Sequence, residues 1–400
     1  MEDPRVIVCQ NGSRHRYAIP RLLWESGMLK CLYTDLCADT TAGRWAKRLA
    51  RWVRSPRIQR LAARTTGLPP EFVHGSDATL WRDILTRGRR QGADWWQEQY
   101  SILAREMIRW GVDDCNVVFS MNNEYYEFVR YAKEQGRKVV IDVYITPLTD
   151  YQVAYDEWRN GDRSSPPPRP EDYQTAKLRE CLELADVISC PSSFVRDGVV
   201  ELYPQLADKK IVICPYGSSI DYGGRRNEPE RGRFFFAGRL WVRKGLRYLA
   251  AAADILRGRY PDMDFRVAGI LEPEVQAMPE FKNLHFIGKL DRNEMIGEFM
   301  KADAFVMPSI SEGMASVCVE ALCAGCPIIV PTSAGIDPVN GVFGGILLDE
   351  LSGESVAAAM EEIYHDRDLR SRLSDAALTQ SANYTTAAWK ERLAELMRQL

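Results

Sequence analysis

Four hundred residues exceed what one ordinary hydrophobic core fills, so two domains of roughly 150 to 200 residues are expected. A formal charge of −3 leaves no global pull toward nucleic acid, and a hydrophobic content of 46% is ordinary for a globular chain. No apolar run approaches the ~18 residues needed to cross a bilayer. The opening MEDPRVIVCQNG lacks the basic start and apolar core of a signal peptide, so a cytoplasmic protein is expected.

Short β-rich runs alternate with helical segments, the pattern of parallel sheets covered on both faces. RVIVCQNG reads as the first strand, HRYAIPRLLWESG as a helix and KCLYTDL as the second strand. Residues 39–112 are predicted as a long, mostly helical insertion. NVVFSMN, a helix through EYYEFVRYAKEQG, and KVVIDVYIT follow. NGDRSSPPPRPED, residues 160–172, must be an exposed loop, because its proline cluster cannot continue a helix. ADVISCPS and KIVICPYG close a first domain placed at residues 1–215.

YGSSIDYGGRRNEPERG is rich in glycine and charge and poor in apolar residues, which marks a linker at 216–232. RFFFAGRL then opens a second series, with a helix over GLRYLAAAADILRGR and strands DFRVAG, LHFIG, AFVMP and CPIIVPT. This second domain is placed at 233–385. The expected class is α/β, two Rossmann-like doubly wound domains facing a central cleft, with ligands at the carboxyl ends of the strands. The chain closes on TAAWKERLAELMRQL, residues 386–400, where Trp389, Leu393, Leu396 and Leu400 form one apolar stripe.

The ten cysteines include Cys9, Cys190, Cys214 and Cys318 in apolar strand or helix patterns, which suits free thiols. Cys323 and Cys326 form a C-x-x-C, but no second pair or nearby histidine completes a zinc site. Asp262 and Asp264 in PDMDF form an Asp-x-Asp that reads as a turn preceding a strand. No metal site is expected.

SEGMASVCVE, residues 311–320, carries Glu312 and Glu320 across small and apolar side chains. If GMASVCVEALCAG is a helix stopped by Gly325 and Pro327, Glu312 stands at its start and Glu320 about two turns in. Helical rise then puts them about 12 Å apart, within roughly 80° of one face. Gly313, Ala315 and Ser316 lie between them, beside helix-start amides that favour an anion. A ligand with two hydroxylated ends and a central diphosphate fits, which describes a nucleotide-diphosphate sugar. FAGRLWVRKGLRYL supplies cations: Arg239 just after a strand and Lys244 at the start of the next helix, both able to reach the strand-end crevice. Gly238 and Gly245 leave room for close backbone approach.

These residues resemble the retaining family-four glycosyltransferases of the GT-B fold, the bacterial "glycosyl transferases group 1" type. Their E-x7-E is matched by Glu312 and Glu320, and their G-R-L…K-G by Gly238, Arg239, Leu240, Lys244 and Gly245. ADVISCPSSFVRDGV, KIVICPYGSSID and NLHFIGKL are similar to further family segments. The resemblance implies that Glu312 contacts hydroxyls of the transferred sugar and Glu320 the ribose, while Arg239 and Lys244 neutralise the leaving diphosphate. Arg239, Lys244 and Glu312 are thus the catalytic candidates. Gly12, Gly238, Gly313, Met314, Ala315, Ser316 and Glu320 are the donor-binding ones.

The same resemblance implies anomeric retention, no cofactor beyond the nucleotide-sugar substrate, and a last helix over 386–400 that crosses back to the first domain. Where the family carries a histidine late in the first sheet, VVIDVYITP offers Asp142, Tyr144 and Thr146. The family's Gly-Phe-Gly is Gly313-Met314-Ala315 here. His15 in the NGSRHRY turn, with Asn122 and Tyr144, is assigned to the acceptor side.

Residues 44–64, RWAKRLARWVRSPRIQRLAAR, hold eight basic residues and no acidic one, interleaved with Trp45, Leu49, Trp52 and Val53. Such a segment is expected to lie on an anionic membrane surface; the alternative packs its tryptophans on the first domain. Nucleic acid is not an expected partner, since no recognition motif accompanies the charge. The expected function is a retaining, metal-independent glycosyltransferase acting on a lipid-linked or cell-surface saccharide precursor, peripheral on the inner membrane face. A transferase on a small soluble acceptor, a nucleotide-sugar epimerase, and a catalytically inactive GT-B-like binding protein are the alternatives. A dehydrogenase is excluded, because no G-x-G-x-x-G follows the first strand.

Overall fold

Strands buried on both faces need near-continuous apolar sequence, and VIVCQ and VVFSM supply it with every residue buried. In the computed structural model, which describes residues 3–53, 55–76, 93–173, 176–220 and 222–400, they form the centre of a seven-stranded sheet. Its strands are β1 (Val6–Gln10), β2 (Leu29–Thr34), β3 (Val73–Gly75), β4 (Val117–Met121), β5 (Lys138–Asp142), β6 (Val187–Cys190) and β7 (Ile211–Ile213). The order is β3-β2-β1-β4-β5-β6-β7, all parallel. The order reverses between β1 and β4, and a crevice opens beyond the strand ends there.

A six-stranded sheet follows, with β8 (Arg233–Ala237), β9 (Asp264–Ala268), β10 (His285–Gly288), β11 (Ala304–Val306), β12 (Ile328–Pro331) and β13 (Gly345–Leu348). Its order is β10-β9-β8-β11-β12-β13, again parallel, with the switch between β8 and β11. Two Rossmann-like layers of this kind make the fold α/β.

Residues 39–112, expected as a long, mostly helical insertion and of which 54 and 77–92 lie outside the described residues, also contribute a strand to the first sheet. Within them β3 pairs with β2, and the helix Ala93–Trp110 buries Leu103, Ala104 and Met107 in one core with Tyr125, Phe128 and Val129. VHG is too short for alternation to reveal a strand. The helix Thr386–Arg398 packs on the first domain: Trp389, Leu393, Leu396 and Met397 share a core with Val6, Val8 and Ile19. Arg392 also donates to the Pro215 carbonyl at 3.0 Å. The two domains are therefore joined both by the segment after β7 and by this returning helix.

Candidate active site

After β11 the chain does not wind at once into a helix. The helix is Ser316–Cys323, so Glu312 lies in the preceding loop and Glu320 little more than one turn in. The helical spacing expected between the two glutamates therefore does not apply. The cause is local: the amides of Glu312 and Ala315 donate to the Ser333 and Ala334 carbonyls at 2.8 and 3.0 Å. Gly313 is pressed on the first domain, where a Cβ would lie 1.7 Å from the Tyr144 carbonyl oxygen. Ser192 of the first domain donates to the Gly313 carbonyl at 2.7 Å. This loop is held as a seam between the domains.

Glu312 is 8% exposed and carries two cations. Lys244 Nζ is 3.0 Å from Oε1, and Arg243 Nη1 is 3.2 Å from Oε2. Arg243 also donates to the Ser311 carbonyl at 2.9 Å. Burying a carboxylate is costly unless it is paired and hydrogen-bonded, and this double pairing meets that condition. Gly245 makes it possible: with φ of 69° and a Cβ position 1.8 Å from the Pro308 carbonyl oxygen, it draws the turn tight against the end of β11. Consecutive residues in that turn then reach one carboxylate. The Lys244 stem lies over Gly238, where a Cβ would meet its Cδ at 2.3 Å.

Arg243 was not singled out by the motif spacing, which treats it as filler between Arg239 and Lys244. Arg239 itself is exposed and has no ion-pair or hydrogen-bond partner among the described residues. It lines a cavity of about 560 Å³ with Lys244, Lys289, Glu312 and Ser316. Glu320 lines a second cavity of about 590 Å³ between the domains, with His15, Arg16, Tyr216 and Arg292. Leu290, Met295, Met314 and Ser316 line both, so the two are one continuous cleft. Burial pushes the Glu320 carboxyl up, against the pull of Arg292 and Arg16. Ala315 is buried, and Met314 Sδ lies 3.3 Å from the Tyr216 amide.

On the first-domain wall, His15, Arg16 and Tyr17 follow β1 with φ of 47°, 52° and 59°, a left-handed run that non-glycine residues adopt only under constraint. The His15 ring centroid is 4.1 Å from Tyr216 and 5.7 Å from Trp389. Burial, and after it the Arg14 charge, lower the ring to about 4. Gly12 lines neither cavity, and its amide donates to Asp35 at 2.9 Å. Asn122 also has a positive φ of 44°. Tyr144 stacks under the Arg14 guanidinium, 3.5 Å from its ring centre.

Arg14 pairs with buried Glu124 at 2.8 Å, a pair that the sequence reading did not single out. Burial raises the Glu124 carboxyl to about 7 against the pull of Arg14. Asp142, fully buried at the end of β5, accepts from Tyr216 at 2.7 Å and Ser189 at 3.0 Å, and burial raises it to about 6.

The Asp-x-Asp lies at the amino end of β9, opposite the cleft, with Asp264 engaged by His285 at 3.1 Å and Arg266 at 3.2 Å. Among the described residues no cluster of three His, Cys, Asp or Glu side chains could hold a metal ion. All ten cysteines are free thiols, nine of them buried.

Comparison with known proteins places this geometry. Residues 224–380 match the family model for glycosyl transferases group 1. The second half of this chain is thus similar to group 1 glycosyl transferases. Curated relatives include the D-inositol 3-phosphate glycosyltransferase of Corynebacterium diphtheriae, 25% identical over 279 residues, 63% of this chain and 65% of that protein. The glycogen synthase of Mycobacterium tuberculosis is 27% identical over 223 residues, 52% of each chain. These alignments thus cover less than two thirds of the relatives' own lengths. Among solved structures, a sucrose-phosphate synthase from Thermosynechococcus elongatus superposes with a TM-score of 0.70 at 15% identity, covering 100% of this chain and 99% of that one. A UDP-forming α,α-trehalose-phosphate synthase from Burkholderia vietnamiensis gives 0.64 at 14%, covering 100% and 98%. At such identities the likeness is one of fold, and the fold is GT-B. The matched stretch contains Arg239, Lys244, Glu312 and Glu320; His15, Asn122 and Tyr144 lie outside it.

Proposed function

We propose that the chain is a retaining, metal-independent glycosyltransferase that moves a sugar from a nucleotide-diphosphate donor to a lipid-linked or cell-surface saccharide precursor. The observation that carries this is the Lys244–Glu312 pair at 3.0 Å on the wall of the cleft. Arg239 and Lys289 line the same cavity, so positive charge exceeds the single carboxylate there. A surplus of fixed cations suits a leaving diphosphate, whose charge grows as the bond to the sugar breaks.

In this account Glu312, already oriented by Lys244 and Arg243, accepts from hydroxyls of the transferred sugar with its remaining lone pairs. Met314, Ala315 and Ser316, which line the cavity, lie along the donor, and Glu320 takes the ribose; Gly313 faces the seam and lines neither cavity. The bond from the anomeric carbon to the diphosphate breaks, an acceptor oxygen bonds that carbon on the same face, and the acceptor's proton leaves with the diphosphate. His15, Asn122 and Tyr144 are assigned to the acceptor side. Retention rests on the family resemblance together with E-x7-E.

The test is a panel of nucleotide sugars offered to the full chain, scored by thermal stabilisation and by release of nucleoside diphosphate. One sugar nucleotide should stabilise and turn over; a panel with neither effect would refute the proposal. A second reading, a small phosphorylated acceptor, is favoured by the printed names of relatives such as D-inositol 3-phosphate glycosyltransferase. Adding lipid extracts or sugar phosphates to the active donor separates the two, since only the true acceptor raises diphosphate release and incorporates label.

A further inference from the structure

We infer that the hairpin of helices Thr41–Leu49 and Pro56–Ala62 docks the chain on an anionic bilayer surface, beside the mouth of the acceptor side. The proposed lipid-linked acceptor gives this docking its purpose, but the geometry stands without it.

Four large apolar side chains of the hairpin are left in water, while Ile58 and Leu61 are partly buried. Trp45 is 66% exposed and Trp52 87%, and Leu49 and Val53 are exposed with them. Trp45 and Leu49 are four residues apart on one helix, and therefore on one face, and Trp52 follows in the turn after it. Tryptophans left in water at this level are unusual for a domain that only needs a core, and their amphipathic rings suit the headgroup boundary. Around them Arg44, Lys47, Arg48 and Arg51 are exposed, and none of the four pairs with a carboxylate among the described residues. Arg48 sits 5.3 Å from the Trp45 ring centre. An apolar tip ringed by unopposed cations is complementary to negatively charged lipid headgroups over a hydrocarbon boundary.

The root of the hairpin is rigid. Thr40 caps the first helix by accepting from the Gly43 amide at 3.2 Å. Gly43 lies so close to the Cys37 carbonyl oxygen that a Cβ would sit 1.7 Å from it. Ala38 donates to the Arg64 carbonyl at 2.9 Å, and both the amide and hydroxyl of Thr66 donate to Asp39 at 2.6 Å. This clamp is joined to the cleft. Asp35, just past β2, accepts from Arg64 at 2.6 and 2.8 Å and from the Gly12 amide at 2.9 Å, in the turn that leads to His15. A membrane met by Trp45 and Trp52 therefore lies on the side of the molecule that carries the His15 wall, where a lipid-borne substrate could enter without leaving the bilayer.

The experiment is flotation of the full chain with vesicles of mixed phosphatidylcholine and phosphatidylglycerol, against vesicles of phosphatidylcholine alone. The chain should float with the anionic vesicles only, and less as salt is raised. Lys47→Ala and Arg51→Ala should each lower partitioning about fivefold. Trp45→Ala with Trp52→Ala should abolish it while the circular-dichroism spectrum and donor hydrolysis stay as in the wild type. Failure to float with anionic vesicles, or variants that float as well as the wild type, would overturn the inference. So would retention of duplex RNA or DNA in place of vesicles, which would reassign the surface to nucleic acid. Donor hydrolysis read in the same preparations distinguishes failure of the membrane contact from failure of the glycosyltransferase reading.

Discussion

Arg243 and Lys244, adjacent in one turn, grip the two oxygens of Glu312 at 3.2 and 3.0 Å. The pairing makes Glu312 a positioned acceptor instead of a mobile charge, and it gives Arg243 a role distinct from that of Arg239. Arg243→Ala should leave the fold intact and lower kcat about tenfold with little change in KM, because one of two anchors is lost. Arg243→Lys should restore part of that loss. Steady-state kinetics on the active donor would check this; a variant with wild-type kcat would remove Arg243 from the positioning role.

Gly313→Ala should loosen the seam between the domains. Its Cβ would fall 1.7 Å from the Tyr144 carbonyl oxygen, which is backbone and cannot turn aside. The expected cost is about 1–3 kcal/mol in urea denaturation, the range for overpacking. Small-angle scattering should show a more open molecule. Unchanged stability and shape would mean that the seam is not held at this residue.

The His15 ring should remain neutral well into acid, with its nuclear magnetic resonance signal titrating near 4 in place of 6.5. The linkage follows in sign: between 6.5 and 4 the unfolded chain takes up a proton that the folded ring refuses, so this group destabilises the fold as pH falls. Asp142, raised to about 6, acts in the opposite direction over an overlapping range. The informative quantity is therefore the difference between wild type and His15→Gln. The variant should lose less stability from pH 6.5 to 4, and parallel curves would contradict the burial argument.

Trp389→Ala should destabilise the first domain, although the residue belongs to the end of the chain. The indole is 2% exposed and shares a core with Val8 and Ile19. Truncation of a buried tryptophan costs about 3–5 kcal/mol. Hydrogen exchange should rise in β1 and the helix Ala18–Glu25 more than in the second sheet. An increase confined to the second domain would contradict the packing.

The fold was legible because buried parallel strands must be written in continuous apolar sequence, as VIVCQ and RFFFA are. VHG and GILL were missed as strands: the first is three residues at a sheet edge, and the second carries no alternation to set it apart from a loop. The start of the helix at Ser316 was missed for a different reason. Residues 312–315 have a sequence that can wind, but their amides are taken by a segment twenty residues later, a tertiary contact that local pattern does not carry. Lys244 and Glu312 could be named from motif spacing. Arg243, and the Arg14–Glu124 pair across the first sheet's switch point, depend on which turns face each other, so they were visible only once the strands were in order.

The measurement that bears most directly on the central claim is turnover of the active nucleotide sugar by Lys244→Ala, read as nucleoside diphosphate release with and without EDTA. Loss of one preorganised cation at a leaving group typically costs about 10² to 10³ in rate. Because the Lys244 side chain is 16% exposed and pairs with buried Glu312, Arg243 must hold that carboxylate alone in the variant, so turnover is read beside its thermal unfolding. Lys244→Ala should lose turnover by that factor while its circular-dichroism spectrum stays that of the wild type, and wild-type activity should be untouched by the chelator. Wild-type turnover in Lys244→Ala, or activity abolished by EDTA, would contradict it.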